Sequence, residues 1–488
     1  MDSESEFLQE ILAHPREDGP RRVFADWLEE QGDPRGAWIQ LQCALAEFEP
    51  ADERRFPLEQ ALQKLWLNQS DLFQEPVRFL DLRHFGWSGW YRRGFIERAV
   101  LGESAFFFHG HMLWDALPLL NEICLVNLSP SSAARLVKER CFPRIHALDL
   151  SDIEITTLLL RELLSAPTSG LKRMNLSHCA LGPVTIRMLV QSALAESLEH
   201  LDLCENRFGS QGTKALAAST RLSHLRSLDI SESTTCSGLE LRRARSLQQL
   251  ETLQARSCQV TRESLAGFMD LPAIRHLDVS DNPTLGAAGE RGLFLSEGRN
   301  RLETMCLNSC GLGDLQVLGL EHPFPALRVL EFSQNRLTDE GLAPLANDFP
   351  ALRILRMGEN PIGVDGILML LETPWMPKLT HLDVWANEVT DEGAEALAES
   401  PQVGALQVLN LGNNELTTAG VRFLAESRHF KSLEVLNLSR NEFGDEGARA
   451  LARSSGLRRL KCLILRDNEI SPEALRPLHE RFGEALLL

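Results

Sequence analysis

From residue 145 to residue 468 the apolar positions fall in one recurring order, a ladder of the form L-x-x-L-x-L-x-x-N in which Ile, Met, Val, Phe or Ala sometimes replaces a rung. First rungs stand at 145, 171, 198, 225, 250, 274, 302, 327, 352, 379, 406, 433 and 460, a period of 24 to 28 residues. Leu198, Leu201, Leu203 and Asn206 make one clear copy; Leu379, Leu382, Val384 and Asn387 make another. The L-x-L centre predicts a short strand whose leucines point inward and whose intervening residues point outward. The ninth position leaves the strand. There an Asn amide can pair turning backbone groups that would otherwise stay unsatisfied inside. Cys179, Cys258 and Cys310 hold this position in three copies and are expected to be buried replacements for Asn. Leu120, Ile123 and Leu125 form a degenerate earlier copy.

Behind each ladder comes a polar start and an Ala/Leu-rich run, as in Thr338-Asp339-Glu340-Gly341 and Thr390-Asp391-Glu392-Gly393. These predict helices whose first N–H groups are capped by Thr or Asp and whose early acids sit at the positive end of the helix dipole. A strand and a full helix at this period are the signature of the leucine-rich repeat, and the chain resembles the ribonuclease-inhibitor type. That resemblance implies an α/β fold: a right-handed solenoid with a parallel sheet on its concave face and helices on its convex face. Phe482 to Leu488 is apolar enough to predict a closing strand or helix end.

Residues 1–85 follow a helical period instead and form a small all-α module. Ser3 and Glu6 suit a capping box ahead of Phe7, Leu8 and Ile11. A second helix carries Phe24, Trp27 and Leu28 on one face, and Asp33 with Pro34 opens a third through Trp38 and Leu41. A fourth runs through Leu58, Leu62 and Leu65. Phe7, Ile11, Pro15 and Asp18, then Ala25 to Glu30 (ADWLEE) and Gly32 to Gly36 (GDPRG), resemble the bacterial repeat-companion domain. That family implies an N-terminal position beside repeats and no particular chemistry. Residues 86–144 then read as a cap and degenerate repeat, and 145–488 as the solenoid with its C-terminal cap. Phe95 to Leu101 reads as the first sheet strand, and Ser104 as the cap of the helix behind it. The aromatic and basic run from Trp87 to Gly94 is expected to cover the solenoid's open end.

Charge narrows the function. A net charge of −18 disfavours a phosphate backbone and an anionic membrane surface, so neither nucleic acid nor membrane is expected. The first residues lack a basic secretory region, no apolar run is long enough to span a bilayer, and the ten cysteines show no paired spacing. The chain reads as cytoplasmic and monomeric. No phosphate-binding loop, nucleophile elbow or Cys-His signature occurs, and His109-Gly110-His111 has no further ligand at metal-binding spacing. No cofactor or metal is expected, and no catalytic residue.

Outward positions of the strands carry the functional expectation. The fifth-position column contains Asp149, Asp202, Asp229, Asp278, Glu331 and Asp383; the third contains His200, His276 and His381. An acidic column of this kind is either a solvated face or a surface for a basic protein or peptide. Trp385, at a seventh position, has Gly358 and Gly412 in the equivalent places one repeat away, so its indole is expected in a shallow opening beside Arg356 and Asn410. The favoured reading is a non-enzymatic scaffold that binds its partner on the concave face. Its rival is a regulator of an enzyme or GTPase, by likeness of repeat class to ribonuclease inhibitor and Ran GTPase-activating protein.

Overall fold

A computed structural model describes residues 3–50, 52–77, 90–165, 170–233, 240–241, 243–287, 293–294, 296–346 and 349–488. The chain forms two compact units, one of Met1–Phe208 with Ser219–Leu225, the other of Gly209–Ala218 with Arg226–Leu488. The expected run Trp87-Ser88-Gly89 lies outside the described residues, as does the side chain of Ser3.

The first unit opens with four helices, α1 (Ser3–Ala13), α2 (Gly19–Glu30), α3 (Arg35–Ala46) and α4 (Arg55–Gln74). Their apolar faces meet: Ile11, Phe24, Ala25, Leu28, Ile39 and Cys43 form one core that also takes in Leu119, with Phe7, Trp27 and Phe95 packed on it. Trp38 is fully buried against Phe73, their ring centroids 4.4 Å apart, and against Tyr91 at 5.2 Å. Aromatic residues before position 96 therefore tie the helices to the chain that follows. Asp33 does prepare α3, its Oδ1 accepting from the backbone N–H of Arg35 at 2.9 Å.

Two expectations about the next segment are corrected. Phe95–Ile96 (β2) is not part of the main sheet; it pairs antiparallel with Tyr91–Arg92 (β1) in a separate hairpin, because Arg93 and Gly94 both take left-handed φ and reverse the chain. The sheet begins with Arg98–Leu101 (β3). Ser104 does not cap the following helix, α5 (Glu103–Ala116). Asn127 reaches across instead, its Oδ1 accepting from the Glu103 N–H at 3.0 Å.

After β3 the first unit adds β4 (Glu122–Leu125), β5 (Ala147–Asp149), β6 (Arg173–Asn175) and β7 (His200–Asp202), parallel and in chain order. The second unit holds β8 (Ser227–Asp229), β9 (Thr252–Gln254), β10 (His276–Asp278), β11 (Thr304–Cys306), β12 (Val329–Glu331) and β13 (Ile354–Arg356). It continues through β14 (His381–Asp383), β15 (Val408–Asn410), β16 (Val435–Asn437), β17 (Cys462–Ile464) and β18 (Leu486–Leu487). Neighbours are again parallel, and equivalent ladder positions face each other: Leu355 pairs with Leu382, and Leu382 with Leu409. β18 is the expected closing strand. Helices follow most strands, although Asp339–Ala346 is 3₁₀ rather than α, with Pro344 inside it.

The ninth-position Asn works as its chemistry suggests. Asn206 is fully buried; its Oδ1 accepts from the N–H groups of Cys179 and Leu181 at 3.2 and 2.8 Å, while Nδ2 donates to the carbonyl of Leu176 at 2.8 Å. Asn441 does the same for Asn414, Leu416 and Leu411. The three cysteines are buried in that place, and each thiol lies within 3.2 Å of a carbonyl of the preceding copy, at Leu150, Ile230 or Val279. The residue just before each ninth position has positive φ in all thirteen copies, from Asp152 at 62° to Asp467 at 56°. For an L-residue this conformation costs roughly 1–2 kcal/mol. The adjoining buried amide network holds it in place.

Candidate partner-binding site

The fifth-position side chains do something that their charge does not suggest. Asp383 Oδ1 accepts from the backbone N–H of Trp385 at 2.9 Å; Asp229 serves Ser231 at 2.8 Å and Asp278 serves Ser280 at 2.9 Å. Asn410 and Asn437 do the same for Gly412 and Ser439. An Asp or Asn here closes the strand by pairing the N–H two residues on, so an acceptor is needed and a charge is not. Asp149 and Asp202, in the first unit, follow the same rule with Ser151 and Cys204. Asp149 is also neutralised by Arg98 at 2.6 Å.

In the second unit the register interrupts the acids. Between β8 and β16 the column reads Asp229, Gln254, Asp278, Cys306, Glu331, Arg356, Asp383, Asn410 and Asn437. Arg356 is not the open contact that the sequence suggests: its guanidinium lies 2.6 Å from Glu331, with both side chains largely buried. Burial pushes the Asp229 carboxyl above the usual range, its hydrogen bond to Ser231 opposing this and the neighbouring Asp278 adding to it. The Cys306 thiol is pushed far up by burial and by the acids on either side.

His381 departs from expectation. Alternation sets it outward, but it is 2% exposed, with Nδ1 2.9 Å from the hydroxyl of Thr380. It offers no free surface to a partner.

Trp385 stands where the glycine pattern put it. It is half-buried, and its indole lies toward Gly412: a Cβ there would come within 2.6 Å of Cδ1 and 3.0 Å of Nε1. On the other flank a Cβ at Gly358 would sit 3.1 Å from the Trp385 carbonyl oxygen. Gly412 thus gives the ring its seat and Gly358 makes room for the Trp385 backbone, beside an opening of about 440 Å³ with Asn308, Ser333, Gly358, Asp383, Trp385 and Asn410 on its walls.

Two features of this opening were missed by pattern reading. Asn308 donates to Glu331 at 3.1 Å and accepts from the Ser333 N–H at 2.8 Å, which links the Arg356–Glu331 pair to the wall. The eighth-position residues form a rim: Ser309 donates to Gln334 at 2.6 Å, Gln334 to Glu359 at 2.7 Å, and Asp281 pairs with Arg256, a seventh-position residue, at 2.8 Å. The signal was present in the same period, one place beyond Trp385. The lining charges are Arg256 against Asp281, Glu359 and Asp383, an acidic surplus around one aromatic ring.

Among the described residues no helix is long and apolar enough to cross a membrane. Residues 325–346, 376–398, 406–425 and 431–452 match the leucine rich repeat family. No similar chain is found among curated proteins. Of solved structures, an internalin (inlF) from Listeria monocytogenes is 19% identical, covering 74% of this chain and 88% of its own, with a TM-score of 0.45. The mouse RP105/MD-1 complex is 14% identical over 75% of this chain and 70% of its own, with a TM-score of 0.41. The four segments that match leucine-rich repeats all lie in the second unit, between residues 325 and 452.

Proposed function

We propose that the chain is a non-enzymatic scaffold whose second unit binds a basic protein or peptide on the outward face of its sheet, with Trp385 as the anchor. The carrying observation is the half-buried indole seated against Gly412 in a polar, net-acidic opening that Gly358 also lines. A preformed rim of cross-repeat hydrogen bonds lowers the ordering cost of binding, and an aromatic face next to carboxylates suits the guanidinium or ammonium of an incoming side chain. Monomeric life in the cytoplasm belongs to the same reading. It is supported by the net charge and by nine described cysteines that are all free.

The test is fluorescence anisotropy with a labelled Arg/Lys-rich peptide. Trp385→Ala should weaken binding by about 2 kcal/mol or more while leaving the melting temperature nearly unchanged. Affinity should fall from low to high ionic strength, since the attraction is screened. Binding unaffected by Trp385→Ala, or flat with salt, rejects the reading.

A further inference from the structure

The first unit contains a larger groove of opposite sign. It measures about 1230 Å³ and is bounded by the ends of α1 and α3, the start of α4, the β1–β2 hairpin and the turns that lead into β4 to β7. Seven Arg or Lys side chains line it against four glutamates, a formal surplus of +3 in a chain whose total is −18.

Each of those glutamates already has a cation. Glu97 is held by Arg21 at 2.7 Å and Glu122 by Arg98 at 3.0 Å, and neither arginine lines the groove. Glu59 pairs with Arg55 at 3.1 Å and Glu199 with Lys172 at 2.6 Å. Glu122 also lies 3.4 Å from Arg173, and Asp18, from outside the lining, meets Arg93 at 3.3 Å. Arg16 and Arg144 are exposed and make no ion pair within 4 Å among the described residues, although Arg16 stands near enough to Glu199 to help lower the pKa of its carboxyl. The Arg144 guanidinium lies over the face of Trp114, 5.8 Å away. Glu97 and Glu122 are thus held from behind, Glu59 and Glu199 by cations of the groove itself, and Arg16 and Arg144 face the space.

From β4 to β7 is three strand spacings, about 14 Å at ~4.8 Å each, roughly the reach of four extended residues. We propose that this groove docks an acidic, extended segment of a partner protein, its carboxylates meeting Arg16, Arg144 and the Lys172–Arg173 edge. Arginine forks suit carboxylates bidentately. The chain's overall negative charge repels a long polyanion beyond the groove, which favours a short acidic peptide over nucleic acid.

The experiment uses the full chain and a fluorescein-labelled octapeptide of alternating Asp and Glu, read by anisotropy at low salt. Arg16→Glu with Arg144→Glu should weaken binding at least tenfold. Arg422→Glu with Arg428→Glu, the same charge change at exposed sites of the second unit, should leave it within twofold. If the reversed pair fails to fold, Arg16→Gln with Arg144→Gln should still weaken binding severalfold with an unchanged melting curve. Trp385→Ala should have no effect, which separates this site from the basic-peptide site. The proposal is overturned if the peptide does not bind, if the distant charge reversal weakens it equally, or if an eight-nucleotide single strand displaces it at lower concentration.

Discussion

Replacing Asn414 by Ala removes four hydrogen bonds from a fully buried position: Oδ1 to the N–H groups of Asn387 and Val389 at 3.2 and 3.3 Å, and Nδ2 to the carbonyls of Val384 and Gly412 at 2.8 and 3.0 Å. Each stranded group costs about 1–3 kcal/mol. Partial relaxation and the length of the two N–H bonds pull the sum toward the low end, so a loss of about 4 kcal/mol is expected. Asn414→Cys should be milder. In the chain's own cysteine copies the thiol still reaches a preceding carbonyl, as Cys179 reaches Leu150 at 3.1 Å, so about 1–2 kcal/mol of the loss should return. Urea titration gives the global effect, and hydrogen exchange at Asn387 and Val389 tests its origin, since their amides should lose protection before those of distant copies. The reasoning fails if Asn414→Ala costs under 1 kcal/mol, or if the Cys variant is no better than Ala.

Asp383→Asn should be nearly neutral for stability, because Asn410 and Asn437 already do the same work, whereas Asp383→Ala should cost about 1 kcal/mol by freeing the Trp385 N–H; equal losses would show that charge matters after all. Asp229 is raised by burial, so its effect on stability is favourable below the unfolded carboxylate range and is lost as pH rises through the raised value. Asp229→Asn should therefore stabilise the protein at pH 7, with the gain shrinking on acidification; thermal melts that show a loss at pH 7 would contradict this. A fragment starting near residue 86 uncovers Leu119 and Phe95 and should aggregate on size exclusion, whereas a monomeric, equally heat-stable fragment would mean that the helices are an independent module.

The strands, the buried ninth-position amides and the closing strand were legible because each rests on apolar alternation or on one side chain acting close to home. Three features were not. The eighth position is left-handed in every copy yet is filled by Asp, His, Glu, Ser, Gln, Ala, Asn or Arg, so no residue type announces it. Helix caps cross between copies: Asp391 accepts from the N–H groups of Thr417 and Gly420 at 2.8 and 2.9 Å, and Asp445 from Ser471 at 2.7 Å. Local capping rules look three residues ahead, and these partners are 26 to 29 residues away. At the site, the glycines around Trp385 were readable as space, but the capture of Arg356 by Glu331 and the burial of His381 depend on side-chain directions that a ladder pattern leaves open.

Those two cross-repeat links point opposite ways along the chain. A buried Asn completes the turn of the copy before it, as Asn441 does for Asn414, while a helix-side Asp starts the helix of the copy after it, as Asp391 does at Thr417. On the ribosome, where residues emerge from the N-terminus onward, a new helix finds its cap waiting but a new turn must wait for a side chain not yet made. With a period of 24 to 28 residues and synthesis at about 5–20 residues per second, the newest copy would stay open for roughly 1–5 s. The nascent chain thus carries one unfinished copy at its growing end, and the pairing of Leu486–Leu487 with β17 completes the copy that holds Cys462–Ile464.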